Sequence, residues 1–181
     1  MQEFLKRAMQ FYKVPLSAET EELLHTYQAE IRETVYALEP LLTGKLFKIA
    51  ARAFGVVVRS AHALLEKYFE KGLLYGIASG AAACRGDEDV STAIDKAMDS
   101  FQKGQIESCV QSMAYRNTKA RYMILCRMLG EIAGKEAQTL LLELQSVNEK
   151  IICAQWEEFF IDGMQNGLCL GAEAERCAEE I

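Results

Sequence analysis

The side chains in this chain that could do chemistry are few, and their spacing decides what each can do. Glu22 and His25, in "ELLH", have the Glu-x-x-His spacing that brings a carboxylate and an imidazole to a di-iron centre. Such a centre needs a second copy of the motif and two more glutamates. The only other histidine is His62, and the residue three before it is Arg59. His62 and Glu66 are one turn apart, the spacing of an ordinary helix-surface pair. Residues 87–98, "DEDVSTAIDKAM", begin like a calcium loop, but the sixth position is Thr92 where glycine is required and the twelfth is Met98 where a bidentate glutamate belongs. An acidic helix N-terminus explains that run better. No G-x-S-x-G is present, and neither histidine has a serine or cysteine partner in sequence. Thr43-Gly44-Lys45 lacks the upstream glycine of a phosphate loop and follows a helical stretch rather than a strand. No catalytic residue, cofactor-binding residue or metal ligand is assigned, and no cofactor is expected.

Charge is the next constraint. The formal net charge is −6, which opposes a phosphate backbone unless a basic patch is present. Lys45, Lys48, Arg52 and Arg59 share one helical face, and Arg116, Lys119 and Arg127 form a smaller stripe. With no helix-turn-helix signature beside them, they read as a solvated face or as partners for the acidic second half. Residues 1–86 carry a net +2 and residues 87–181 a net −8. The opening "MQEFLKRAMQFYK" has no apolar h-region, and the longest uncharged apolar run, 72–84, is too short to span a bilayer. The six cysteines form no C-x-x-C pair and are expected as reduced, mostly buried thiols of a cytoplasmic protein. Nucleic acid and membrane are therefore set aside as partners; a protein partner or self-association is left open.

The elements that would carry these residues are helices. Good helix formers dominate, prolines number two, and long β-branched alternations are missing. The pattern predicts short helices over 2–12 and 91–102 and long ones from Ser17 to about Glu39, over 44–84, 106–132 and 135–179. Ser17 precedes the acidic "AETEE", which suits an N-cap, and Pro40 ends the following helix. Gly55 and the equivalent "QSVN" (145–148) are the weak points of the two longest helices.

Three glycines, Gly72, Gly76 and Gly80, sit four apart in the longest helix of the first half, although each costs roughly 1 kcal/mol against alanine there. Residues 65–85, "LEKYFEKGLLYGIASGAAACR", align without a gap on 156–176, "WEEFFIDGMQNGLCLGAEAER". Phe69 pairs with Phe160, and the three glycines pair with Gly163, Gly167 and Gly171. "LLTGK" (41–45) and "EIAGK" (131–135) extend the match upstream. The chain reads as a tandem duplication, with a first helical unit over 1–86 and a second over 90–181, packed as one globular domain. The expected fold is all-α, a helical bundle of two pseudo-equivalent three-helix units with four long core helices and two short ones.

From the second window onward Trp156, Phe160, Gly163, Gly167, Leu170, Ala174, Cys177 and Ile181 follow a heptad seam; Leu65, Phe69, Gly72, Gly76, Ser79 and Ala83 do so in the first window. Small residues four apart let helix backbones approach closely. Phe69, Gly72, Gly76, Gly80, Trp156, Phe160, Gly163, Gly167 and Gly171 thus form the candidate inter-repeat face. Packing takes precedence there over a ligand, because a duplicated unit must mate with its copy. Trp156 is read as core.

The ending "FFIDGMQNGLCLGAEAERC", preceded by "GEIAGKEAQTLLLELQSVNEK", resembles short all-helical proteins of unknown function from Gram-positive, often gut, bacteria that end in a Phe-x-x-Gly-x-x-x-Gly helix. The resemblance covers about 105–177 best. It implies the fold and supplies no activity. The functional expectation is a non-catalytic helical scaffold or protein-interaction module in the cytoplasm; the alternative is a small-molecule sensor with an apolar site between the repeats.

Overall fold

The computed structural model describes residues 14–86, 89–109 and 112–179, with residues 100–109 and 179 described by backbone alone. It has helices α1 (Ala18–Leu38), α2 (Gly44–Cys84), α3 (Val90–Cys109), α4 (Met113–Ala133) and α5 (Lys135–Glu179), and no strand among the described residues. The fold is an all-helical bundle. The helix expected over 2–12 lies outside the described residues.

Local chemistry sets several boundaries. Ser17 caps α1: its hydroxyl accepts from the Thr20 backbone N–H at 3.2 Å, satisfying one donor that the first turn leaves open. Glu19 and Glu21 lie in the same turn, against the positive end of the helix dipole. Leu38 is the last residue of α1, just before the turn that contains Pro40. Gly86 follows α2 at φ 74° and Gly134 follows α4 at φ 97°, the left-handed region that glycine enters without steric cost. The Gly134 N–H closes α4 on the Gly130 carbonyl at 2.9 Å.

Two expectations about the middle of the chain need correction. The helix expected over 91–102 continues to Cys109, running through Gly104, and the following helix starts at Met113 rather than near 106. A lone glycine costs a helix about 1 kcal/mol and does not end it. The division into long and short helices changes accordingly. α1, α3 and α4 have 21, 20 and 21 residues, while α2 and α5 have 41 and 45. Neither Gly55 nor the 145–148 stretch interrupts its helix.

The residues group into two compact units. The first comprises Leu65–Cys109 and Trp156–Ile181 with the segment ending at Leu16; the second comprises Ser17–Leu64 and Val110–Gln155. Each unit draws on both sequence halves, because α2 and α5 each contribute their N-terminal part to the second unit and their C-terminal part to the first. In the first unit Phe69 and Leu73 are buried, with Val14, Ile77 and Phe159 packed against them. Tyr68, Phe160 and Met164 are also buried there. The core of the second unit includes Val57, Leu64, Tyr115, Tyr122, Cys126, Leu129, Leu141 and Leu144. No helix among the described residues is long and apolar enough to cross a membrane.

Candidate functional site

The glycine windows meet face to face inside the first unit. A β-carbon built on Gly72 would lie 2.0 Å from the Phe160 carbonyl oxygen, one on Gly76 2.1 Å from that of Met164, and one on Gly80 2.3 Å from that of Leu168. In the other direction Gly163, Gly167 and Gly171 would each place a β-carbon 2.2 Å from the carbonyl oxygens of Phe69, Leu73 and Ile77 respectively. Contact positions rise together along both helices, so these parts of α2 and α5 run parallel. Gly76 and Gly167 stand at the middle, each with its missing β-carbon 2.9 Å from the other's Cα.

The physical reason for six glycines is therefore backbone contact. Ordinary van der Waals contact for a β-carbon is 3.4–4 Å. No methyl group fits at any of the six positions, so the two backbones are in direct contact. A glycine hydrogen takes the place of each missing β-carbon and points at a carbonyl oxygen. This is the geometry of weak Cα–H···O bonds, each worth about 0.5–1 kcal/mol.

The aromatic members of the face sit on either side of this contact. Tyr68 is buried and meets Trp156 edge-on, with ring centroids 6.2 Å apart; Tyr75 meets Phe160 in the same manner at 6.1 Å. Trp156 itself is only half-buried, a correction to its reading as core. The seam also differs from the heptad expectation. Beyond Gly167 the buried position is Gly171, while Leu170, Ala174 and Cys177 are exposed. A four-residue glycine ridge tracks along the neighbouring backbone, so the contact follows the ridge and leaves the 3.5-residue repeat. Arg85 and Glu175 form an ion pair beyond the last glycines, and the Cys84 thiol reaches the Ala172 carbonyl at 3.7 Å.

The second unit holds a polar cluster that sequence reasoning missed. Tyr115 on α4 is 1% exposed, and the Gln145 Nε2 group donates to its hydroxyl at 3.1 Å. Asn148 lies one turn further along α5 and is buried as well. Both amides are buried, and Gln145 Oε1 and Asn148 Nδ2 have no hydrogen-bond partner among the described residues. In sequence, "QSVN" reads only as the weak point of its helix. The available signal was Tyr115 on the apolar face of α4, a hydroxyl that needs a partner once buried. Nearby, Lys119 pairs with Glu149, and the Tyr122 hydroxyl donates to the Leu141 carbonyl at 3.0 Å.

Burial sets the protonation of these groups. Burial pushes the Tyr115 phenol above its ordinary range, with the Gln145 hydrogen bond opposing the shift. Burial does the same to Tyr122 and pushes the Cys126 thiol up to about 11. Groups held in their protonated form at neutral pH donate hydrogen bonds and do not serve as bases or nucleophiles.

The remaining sequence candidates are dispersed over the surface. Glu22, His25, His62 and Glu66 are exposed, and no cluster of three or more metal-ligating side chains occurs among the described residues. Lys45, Lys48, Arg52 and Arg59 are all exposed on α2. The cysteines depart from expectation. Cys84, Cys153, Cys169 and Cys177 are exposed thiols, and among the described residues only Cys126 is buried. Their helical positions fall on outward faces, a placement the composition did not reveal.

Compared with family models, curated proteins and solved structures, the chain matches none of them.

Proposed function

We propose that this protein is a non-catalytic helical interaction module, built by tandem duplication of a unit near ninety residues and working in the cytoplasm. One observation carries the interaction reading. α4 carries a stripe of large apolar side chains four residues apart outside its buried face: Ile124 is 59% exposed, Met128 55% and Ile132 67%. Large exposed apolar residues aligned on one helix face mark a surface that another protein covers.

The duplication reading rests on the reciprocity of the glycine contacts. Gly72 meets Phe160, and its counterpart Gly163 meets Phe69, the counterpart of Phe160. The same exchange holds for Gly76 with Met164 against Gly167 with Leu73, and for Gly80 with Leu168 against Gly171 with Ile77. This is the contact pattern of two copies related by a two-fold axis along the parallel helices, as when a symmetric dimer is fused into one chain. The closeness of that contact favours packing as the role of the glycines over a ligand held between them. The resemblance to small helical proteins of Gram-positive bacteria is in keeping with such a module and gives it a bacterial setting.

The test is capture on immobilised full-length chain from a native extract, run beside an Ile124→Glu variant. A stoichiometric protein retained by the wild type and lost by the variant supports the module. Retention that ignores the substitution, or no retention at any concentration, refutes α4 as its working face.

A further inference from the structure

The outer face of α4 carries more than apolar residues. At 100° per residue, Ile124 and Met128 stand nearly opposite the buried Tyr115, Tyr122, Cys126 and Leu129. Arg121, at the edge of the cleft it lines with Ala53 and Val56 of α2, and Glu131 flank them on either side, and both are exposed. Neither has an ion-pair partner among the described residues. The order along the face is therefore cation, apolar, apolar, anion: Arg121, Ile124, Met128, Glu131.

That order is self-complementary in one direction only. We propose that α4 pairs with α4 of a second copy of this chain, antiparallel, about a two-fold axis at the level of position 126. This deepens the interaction-module reading, rests on it, and names the partner. Counting outward equally from position 126, Ile124 meets Met128 of the second copy, and Arg121 meets Glu131 of the second copy. The two-fold repeats both contacts, giving an isologous interface with two reciprocal ion pairs. Ala120, also exposed, comes opposite Ile132 of the second copy, so a small residue faces a large one. A parallel pairing would set Arg121 against Arg121 and Glu131 against Glu131, which like-charge repulsion disfavours. A single helix face lies at the small end of interface sizes, so the association is reversible and depends on concentration.

Sedimentation velocity on the full chain from about 1 μM to about 1 mM tests this. The expected result is a monomer–dimer equilibrium within that range. Arg121→Glu and Glu131→Arg should each raise the dimer Kd at least about tenfold, because each sets like charges together twice. The double variant Arg121→Glu/Glu131→Arg should return it to within about threefold of wild type, a rescue that a merely structural role would not give. Ile124→Glu should remove the dimer while leaving the circular dichroism spectrum and Tm unchanged, since the position is exposed. A chain that stays monomeric throughout overturns the proposal, as does a dimer indifferent to Ile124→Glu or a double variant as weak as the singles. Monomeric behaviour together with capture of a different protein through the same face would overturn self-pairing and leave the interaction-module reading standing.

Discussion

Replacing Gly76 by alanine adds one methyl group, and local and tertiary effects of that methyl have opposite signs. In an open helix interior, glycine to alanine stabilises by about 1 kcal/mol, through the conformational freedom that alanine no longer has to lose. Gly55 is such a site: a β-carbon there meets only the Arg59 guanidinium, at 3.6 Å. At Gly76 the same methyl would lie 2.1 Å from the Met164 carbonyl oxygen, 2.8 Å from the Leu168 nitrogen and 2.9 Å from the Gly167 Cα. All three are backbone atoms, so no rotamer change relieves the clash. α2 and α5 must separate by about an ångström or more here, which also loosens the contacts at Gly72 and Gly80. Overpacking of this kind costs about 1–3 kcal/mol, occasionally more, and the lost Cα–H···O contacts add to it. Net of the helix-propensity gain, Gly76→Ala should destabilise by about 2 kcal/mol, or about 4–8 °C in Tm for a chain of this size. Gly55→Ala should raise Tm by about 2–4 °C. Thermal melts of the two variants beside the wild type decide the matter. If Gly76→Ala matches or exceeds the wild-type Tm, the backbone contact is not the reason for the glycines.

Gly167→Ala should resemble Gly76→Ala, and the double variant should cost at least about 0.5 kcal/mol less than the sum, because one separation of the helices relieves both clashes; urea denaturation measures the shortfall. Tyr115→Phe removes the hydroxyl that Gln145 donates to and should cost about 1–3 kcal/mol in the same assay. Adding Gln145→Leu should recover part of that loss, since the orphaned amide goes with it. The Cys126 thiol has its pKa raised by burial from 9.0 to about 11, so the folded state holds this proton more tightly than the unfolded state. Its contribution is complete below pH 9 and is lost as pH rises through 11, and stability should fall across that window. Cys126→Ala should flatten that part of a pH series of denaturation midpoints.

Much of the architecture was legible from local chemistry. Ser17 before an acidic turn, Pro40 after Leu38, and the glycine closing each of α2 and α4 act within a few residues of themselves, so their effect is written in the neighbouring sequence. The helix expected over 91–102 runs on through Gly104 to Cys109; nothing in the neighbouring sequence distinguishes a tolerated glycine from a terminating one. The 145–148 stretch reads as a weak point of its helix because the partner of Gln145, Tyr115, is thirty residues away in the chain. The cysteines looked buried by residue type, yet four lie on outward helix faces. The outer stripe of α4 was invisible for a related reason. A helix apolar on two sides gives no clean amphipathic signal, and only packing shows which side the core takes.

The paired windows 65–85 and 156–176 set, in the sequence alone, where six glycines stand and which residue answers which. A glycine four residues from the next can serve a close backbone contact, a bend or a ligand groove, and composition does not choose among them. The tertiary structure chose: it ran the two windows parallel and put carbonyl oxygens of one helix where β-carbons of the other would be. It also replaced the expected heptad continuation through Leu170 with the four-residue ridge ending at Gly171. The reason is geometric. Which residues can approach is a property of each helix by itself, whereas how close they come, and in which direction, belongs to the pair.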